Sequence, residues 1–257
     1  MATPKTRRSV TTTQPTDNGG RSDVRNQILL ALPALERETL FQKLEFIEMP
    51  TRFILHEAGE PITHAYFVND GLASVLSVMK DGKSVEVGLT GREGFIGLPL
   101  VIGFSTSGTQ VVMQVKGSAY RIASSDFKDA LPRCRQLELA LNRFVQSLSL
   151  QAVQIAACNR VHEVDERLAR WLLMSQDRLG GDIVPLTQEF LAHMLGTRRA
   201  SVTIAAGHLQ KAGLITYNRG SVKILDRSRL EDAACECYWA IVLQSERWAR
   251  ETIPKRA

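Results

Sequence analysis

Two adjacent guanidinium groups, Arg198 and Arg199, follow a glycine at Gly196, and small hydroxyl residues come next at Ser201 and Thr203. A planar guanidinium fork makes two parallel hydrogen bonds to O6 and N7 of a guanine. Hydroxyls and the free N–H groups at a helix start suit phosphate oxygens. Gathered at the head of one helix, such groups could read base edges in a major groove. Thr187 and Gln188 upstream, and Arg219 and Lys223 downstream, are spaced to grip the nucleic-acid backbone. The chemistry indicated is recognition of double-stranded DNA, not bond breaking.

The elements that would position these groups are legible over residues 184–225. Thr187 suits the cap of a first helix whose apolar face is Phe190, Leu191, Met194 and Leu195. Gly196 permits a tight turn. Thr197 would cap a second helix over residues 197–211, with Val202, Ala205, Ala206, Leu209 and Ile204 on its buried side, and Lys211-Ala212-Gly213 closes it. Leu214 to Tyr217 and Ser221 to Leu225 then flank Asn218-Arg219-Gly220 and predict a hairpin with a basic tip. The order is helix, turn, helix, wing. A purely structural helical hairpin shares the helix–Gly–helix rhythm, but lacks the basic head and the hairpin behind it.

Upstream, residues 40–122 read as short β-segments such as RFILHEAGEPI, HAYFVNDGLASVLSVM and KSVEVGLTG. Their separators are Ala58-Gly59, Asn69-Asp70-Gly71, Asp81-Gly82 and Gly91. Many short strands at this spacing predict a jelly-roll-like sandwich or barrel. Before them, Asn26 to Phe46 reads as helical, anchored by Leu29, Leu30, Leu40 and Leu44 and broken at Pro33.

After the strands the text turns helical. Ser124 or Ser125 can cap a short helix through Ala130, and Pro132 suits the first turn of a longer one. There, Leu137, Leu141, Phe144, Leu148, Gln151, Ile155 and Cys158 recur at alternating steps of four and three, the spacing of a heptad seam between two copies of a helix. The same stripe could instead pack on the chain's own β-domain. Leu139, Val145, Leu150 and Val153 lie off the seam and need a second surface. A hinge is expected at Arg160 to Val164, then a helix from Val164 to Leu179 ended by Gly180-Gly181.

The chain has 257 residues, 44% hydrophobic and 23% charged, with a formal net charge of +5. That suits two modest domains and a polyanion partner. No apolar run approaches the roughly 18 residues that span a bilayer, and residues 1–23 have no apolar h-region. A cytoplasmic place is expected, with that segment, including Arg7 and Arg8, as a mobile tail. None of the four cysteines, Cys134, Cys158, Cys235 and Cys237, shows CxxC spacing, so free thiols and no metal site are expected. Cys235 and Cys237 are expected as packed thiols facing different ways on an amphipathic helix of the wing domain. His56, Glu57, Glu60 and His64 lack the spacing of a cupin-like metal enzyme. There is no nucleophile elbow, Walker loop or HExxH, so no enzyme is expected.

The chain resembles the CRP/FNR superfamily of bacterial transcription regulators. The resemblance rests on GEPITHAYFVNDGLASV (Gly59 to Val75), GREGFIGLPLVIG (Gly91 to Gly103), DERLARWLL (Asp165 to Leu173), LTQEFLAHMLGTRRASV and LQKAGLI, in that order. It implies an α+β fold: an N-terminal jelly-roll-like β-roll of the cyclic-nucleotide-binding type, a long dimerisation helix and a C-terminal winged helix-turn-helix. It further implies a homodimer on a palindromic operator, with RNA polymerase as a partner. The corresponding domains are residues 1–23, 24–131, 132–160 and 161–230, with a helical extension over 231–257.

Members that bind cyclic AMP carry a Glu after a Phe-Ile-Gly-like turn and an Arg for the phosphate. Here those positions fall at Leu98, after Gly97, and near Thr109. Gly97, Leu98 and Thr109 therefore mark an effector pocket whose ligand is expected to be something other than cyclic AMP, since a buried phosphate without a cation is costly. A constitutive regulator with a ligand-free β-roll is the alternative. The tail lacks the cysteine cluster of the oxygen-sensing branch, which disfavours an iron–sulfur centre. Heme stays open because His56, His64 and His162 are present, and so does a small-molecule effector. Arg199 matches the family's central base-reading Arg. Ala200 replaces the family's Glu, so a different operator is expected.

Overall fold

The computed structural model describes residues 23–218 and 220–251. The expectations for the N-terminal tail, with Arg7 and Arg8, and for Arg219 at the wing tip lie outside the described residues.

Asn26 caps α1 (Gln27–Ala31), its side-chain oxygen accepting from the Leu29 N–H at 3.1 Å. The same amide donates to the carbonyls of Val68 and Gly94, each at 2.8 Å, so the cap also pins the helix to the sheet. Pro33 separates α1 from α2 (Ala34–Phe41). The helical reading to Phe46 ran too far: Phe46 lies in strand β1 (Glu45–Met49), and Leu44 is buried between the two. Leu30 is 51% exposed and anchors nothing, unlike Leu29 and Leu40.

Strands β2 (Ile54–His56), β3 (His64–Val78), β4 (Ser84–Thr90), β5 (Phe95–Ile96) and β6 (Gln110–Ala123) complete an antiparallel sheet. Its order is β1-β6-β3-β4, with β2 on β6 and β5 on β3. Asp81-Gly82 makes the β3–β4 turn, where the Met79 N–H donates to the Lys83 carbonyl at 2.7 Å. Asn69-Asp70-Gly71 is not a turn. It is an irregularity inside the 15-residue β3, where the register with β6 shifts on both sides of Asp70. Gly71 takes a φ of 85° there. Turn-type residues inside a paired strand mark a bulge as readily as a chain reversal.

Helix α3 (Ser124–Ala130) starts one residue before a serine cap would allow, with Ala123 at the N-cap. Pro132 sits in a 3-10 turn over Leu131–Arg133, and the long helix α4 begins later, at Arg135, and runs to Val161. Along α4 the seam is buried within the chain itself: Leu137, Leu141, Phe144, Gln151, Ile155 and Cys158 are all inaccessible. The packing explains why. A Cβ on Gly88 would lie 2.6 Å from Leu148 Cδ1, and one on Gly94 would lie 2.4 Å from Phe144 Cζ. Two glycines thus let α4 sit directly on the roll, while Gln151 Oε1 accepts from the Leu89 N–H of β4. Of the expected dimer seam, Leu137, Leu141, Phe144, Gln151 and Ile155 are thus buried within the single chain, and Leu148 is half-buried against Gly88. Of the off-seam residues, Leu139, Val145 and Val153 face solvent and Leu150 is half-buried; Val161, at the end of α4, is also exposed.

The hinge falls at His162 and Glu163, and a reciprocal capping box between Glu163 and Glu166 opens α5 (Val164–Leu179). Gly180 closes it in the left-handed conformation. Beyond it come β7 (Ile183–Val184), α6 (Gln188–Met194), α7 (Arg199–Lys211), β8 (Ile215–Asn218) and β9 (Ser221–Ile224). The short β7 was not anticipated; it pairs with β9, giving a three-stranded wing of order β7-β9-β8. Helices α8 (Arg227–Ala233) and α9 (Cys237–Glu251) follow. Helix α9 packs on α5 of the wing domain, as expected, with Tyr238 and Ile241 in that domain's core, and it packs on α4 as well.

One apolar core joins α5, α6, α7 and the wing to Leu72, Leu76, Leu89 and Val115 of the roll. Two polar bridges accompany it. Trp171 of α5 donates to Glu86 of β4, and Arg178 of α5 pairs with Glu93 at 2.8 Å. No described helix is long and apolar enough to cross a membrane.

Candidate nucleic-acid interface

Thr187 has extended backbone geometry, and its Oγ1 accepts from the Phe190 N–H at 3.3 Å, which starts α6 as expected. Gly196 takes a φ of 57° and reverses the chain. Thr197 does not cap α7. Its N–H donates to the Ala192 carbonyl at 3.0 Å, which holds Thr197 in the turn. The N-cap is Arg198, which makes no side-chain cap bond.

Arg198 and Arg199 are exposed, and neither side chain has a hydrogen-bond or ion-pair partner among the described residues. Both guanidinium groups therefore stand free at the electropositive end of a helix. The helix is held from behind by Val202, Ala205, Ala206 and Leu209, all buried. Ile204 is 58% exposed, contrary to expectation. Two residues along a helix is a step of about 200°, which puts Ile204 opposite Val202. It shares the outer face with Arg199, Ala200 and Thr203, where an apolar side chain can meet a thymine methyl.

Thr203 has a different place from that of a free base reader. Its hydroxyl donates to Gln188 Oε1 at 2.8 Å, with the Arg199 carbonyl at 3.0 Å as a second acceptor. The bond fixes Gln188 of α6 against α7. Ser201 is half-buried at the same end. On the wing, Lys223 is exposed and has no partner among the described residues. The wing is tied to the helices by the Tyr217 N–H donating to Gln210 Oε1 at 2.8 Å. Helix α7 is further tied to α5, with His208 Nδ1 2.6 Å from Asp165 Oδ2.

In the roll, Gly97 precedes a 3-10 turn over Leu98–Ile102, backed by Ala65. The Thr109 N–H donates to Ser107 Oγ at 3.1 Å. Next to Thr109, the Gln110 amide donates to the Glu57 carboxylate. His56 is buried with Nδ1 unpartnered, and burial pushes its pKa down. This corner thus offers a carboxylate and a neutral imidazole where a phosphate would need a cation. A cavity of about 480 Å³ lies elsewhere, between α4 and α9, lined by Arg143, Phe144, Gln151, Arg178, Ile241 and Trp248 among others.

The thiols are free and buried, as expected, but Cys235 and Cys237 do not face different ways on one helix. Cys235 precedes α9, which starts at Cys237, so the two are not successive positions of one helix. Both thiols turn toward Cys158 and His162 at the end of α4, and the four donor atoms lie within 4.8 Å of one another. The Cys158 and Cys235 sulfurs are 3.4 Å apart. Their hydrogen bond draws the Cys158 pKa down and pushes that of Cys235 up. The pairing of CxC with a Cys and His four residues apart on another helix was the available signal. Only the fold brings the two halves together.

Comparisons with known proteins agree with this architecture. A cyclic nucleotide-binding domain model matches residues 47–134, and a Crp-like helix-turn-helix domain model matches residues 166–233. Among solved structures, FixK2 from Bradyrhizobium japonicum superposes with a TM-score of 0.65 at 16% identity, covering 75% of this chain and 98% of its own. The c-di-GMP responsive regulator CLP from Xanthomonas campestris gives 0.61 at 19% identity, covering 76% and 100%. A CRP-family transcriptional regulator from Thermus thermophilus gives 0.59 at 21%, covering 73% and 95%. No curated protein matches by sequence. With both domain models matched in this order over more than half of its length, the chain belongs to the CRP/FNR superfamily of transcription regulators.

Proposed function

We propose that the chain works as a homodimer that reads a palindromic operator through α7, with no catalytic step of its own. The observation that carries this reading is the pair of unpartnered guanidinium groups, Arg198 and Arg199, at the head of a helix whose opposite face is buried. Arg199 reads a guanine, Arg198 and Ser201 serve adjacent base edges or phosphates, and Ile204 contacts a thymine methyl. Thr187, Gln188 and Lys223 hold the backbone, with Thr203 positioning Gln188. Because the seam is buried, the second copy docks on the outer face of α4 at Leu139, Val145, Val153 and Val161. RNA polymerase is the onward partner, and the cytoplasm the place of action. The β-roll responds to an effector other than cyclic AMP, since Leu98, Thr109 and the adjacent Glu57 supply no cation.

Selection of duplexes from a random pool by the purified full-length protein tests the reading. The expected result is an inverted repeat with half-sites about one helical turn apart. Recovery of unrelated duplexes, with no shared half-site, would overturn it.

A further inference from the structure

Four metal-ligating side chains meet where α4 ends, the hinge begins and α9 starts. Cys158 lies in the last turn of α4 and His162 is the residue that caps it, its N–H donating to the Cys158 carbonyl at 3.1 Å. Cys235 and Cys237 arrive from the C-terminal extension. All three cysteines are buried. We propose that Cys158, His162, Cys235 and Cys237 bind a single zinc ion that clasps the C-terminal extension to the hinge.

The geometry suits one tetrahedral ion. Cys158 Sγ lies 3.4 Å from Cys235 Sγ, and Cys237 Sγ lies 3.5 Å from His162 Nδ1. With Zn–S bonds of about 2.3 Å, ligands at the corners of a tetrahedron stand about 3.8 Å apart. These two separations are within a few tenths of an ångström of that value, and all four donor atoms lie within 4.8 Å of one another. Three thiolates and one imidazole form the Cys₃His set of structural zinc sites. An iron–sulfur cluster holds several irons and spreads its ligands around them, whereas these four donors converge within 4.8 Å on room for one ion.

The surroundings fit the same ion. Glu236 Oε2 lies 3.0 Å from His162 Nε2, so the carboxylate accepts from the ring nitrogen that faces away from the sulfurs. That carboxylate–His arrangement fixes the tautomer and leaves Nδ1 as the ligand. The Gln154 amide donates to Cys237 Sγ at 3.1 Å. Three thiolates around a dication leave a net negative charge. Arg170, only 2% exposed and with Nε unpartnered among the described residues, supplies a nearby positive one, as does buried Arg167. A Cys158–Cys235 disulfide would use two of the thiols and leave the roles of His162, Cys237, Gln154 and Glu236 without an account. On binding, each thiol releases its proton to solvent as its sulfur takes the metal.

The test uses the full-length protein purified under reducing conditions. Elemental analysis should find about one zinc per chain. After chelation, titration with Co(II) alone should produce the visible absorption of a tetrahedral thiolate complex. Cys237→Ser should abolish stoichiometric binding, and Cys134→Ala, whose thiol lies in the roll core, should retain it. Glu236 is 78% exposed, so Glu236→Gln leaves the fold intact and should weaken affinity about 10–100-fold. The proposal is overturned if reduced protein carries no zinc and takes up no Co(II), if Cys237→Ser and Glu236→Gln bind as tightly as the parent, or if mass spectrometry finds a stoichiometric Cys158–Cys235 disulfide in freshly isolated protein.

Discussion

The indole N–H of Trp171 donates to Glu86 Oε1 at 2.8 Å, while Glu86 Oε2 accepts from Ser74 Oγ at 2.7 Å. One buried carboxylate thus joins strand β4 of the roll to helix α5 of the DNA-binding domain. Burial pushes its pKa up to about 7, against the opposing pull of the Ser74 and Trp171 hydrogen bonds.

That shift sets a pH dependence. Below pH 4.5, the ordinary value, the carboxyl is protonated whether the chain is folded or not, and the contribution is full. As pH rises from there to about 7, folding must take up a proton, and stability falls. Above about 7 the loss is complete, on the order of 3 kcal/mol. Glu86→Gln should remove this slope and raise stability at pH 8, because a glutamine can still accept from Trp171. Urea unfolding of parent and variant at pH 5 and pH 8 checks it. An unchanged difference between the two pH values would contradict the assignment.

The two faces of α4 should respond differently to charge. Leu141 is fully buried, and Leu141→Glu should cost several kcal/mol by burying an unpaired carboxylate. Val153 is 66% exposed in the single chain, so Val153→Glu should leave thermal stability of the monomer near the parent's while dissociating the dimer. Sedimentation and thermal melts distinguish them. A Val153→Glu protein that stays dimeric at micromolar concentration would place the interface elsewhere.

How much of this was legible beforehand differs by element. Helix α5 was readable to the residue, because its apolar content and Gly180 act locally. The turn at Gly196 and the free arginines behind it were readable for the same reason. The use of the heptad stripe was not. A stripe specifies a surface that must be buried, and Leu148 against Gly88 shows that the occupant is decided by the fold. Ile204 was misplaced by counting it with neighbours two residues away. Glu86 with Trp171, and Cys158 with Cys235, are long-range pairs that leave no periodic trace in sequence.

Cyclic AMP should bind the protein weakly. The corner near Thr109 holds Glu57 and a neutral His56, with Leu98 in place of a ribose-binding carboxylate. Calorimetry should show no affinity better than about 10 micromolar, on the order of −7 kcal/mol. Tighter binding would contradict this reading of the roll.

Lys223 is exposed on β9, and as a phosphate contact it would act through its charge. Lys223→Ala should weaken binding to all duplexes about equally. In a log–log plot of affinity against salt, the slope should become shallower by about 1 per protomer. An unchanged slope would remove Lys223 from the phosphate contacts.

Arg199→Ala on the selected operator and its single-base variants tests the central claim most directly. Arg199 is the first residue of α7, exposed and unpartnered among the described residues. As a bidentate guanine reader it should cost roughly 1–3 kcal/mol per half-site when removed, and discrimination should relax at one base pair only. A loss spread equally over every duplex, with discrimination intact at all positions, would make Arg199 a backbone contact and contradict the account.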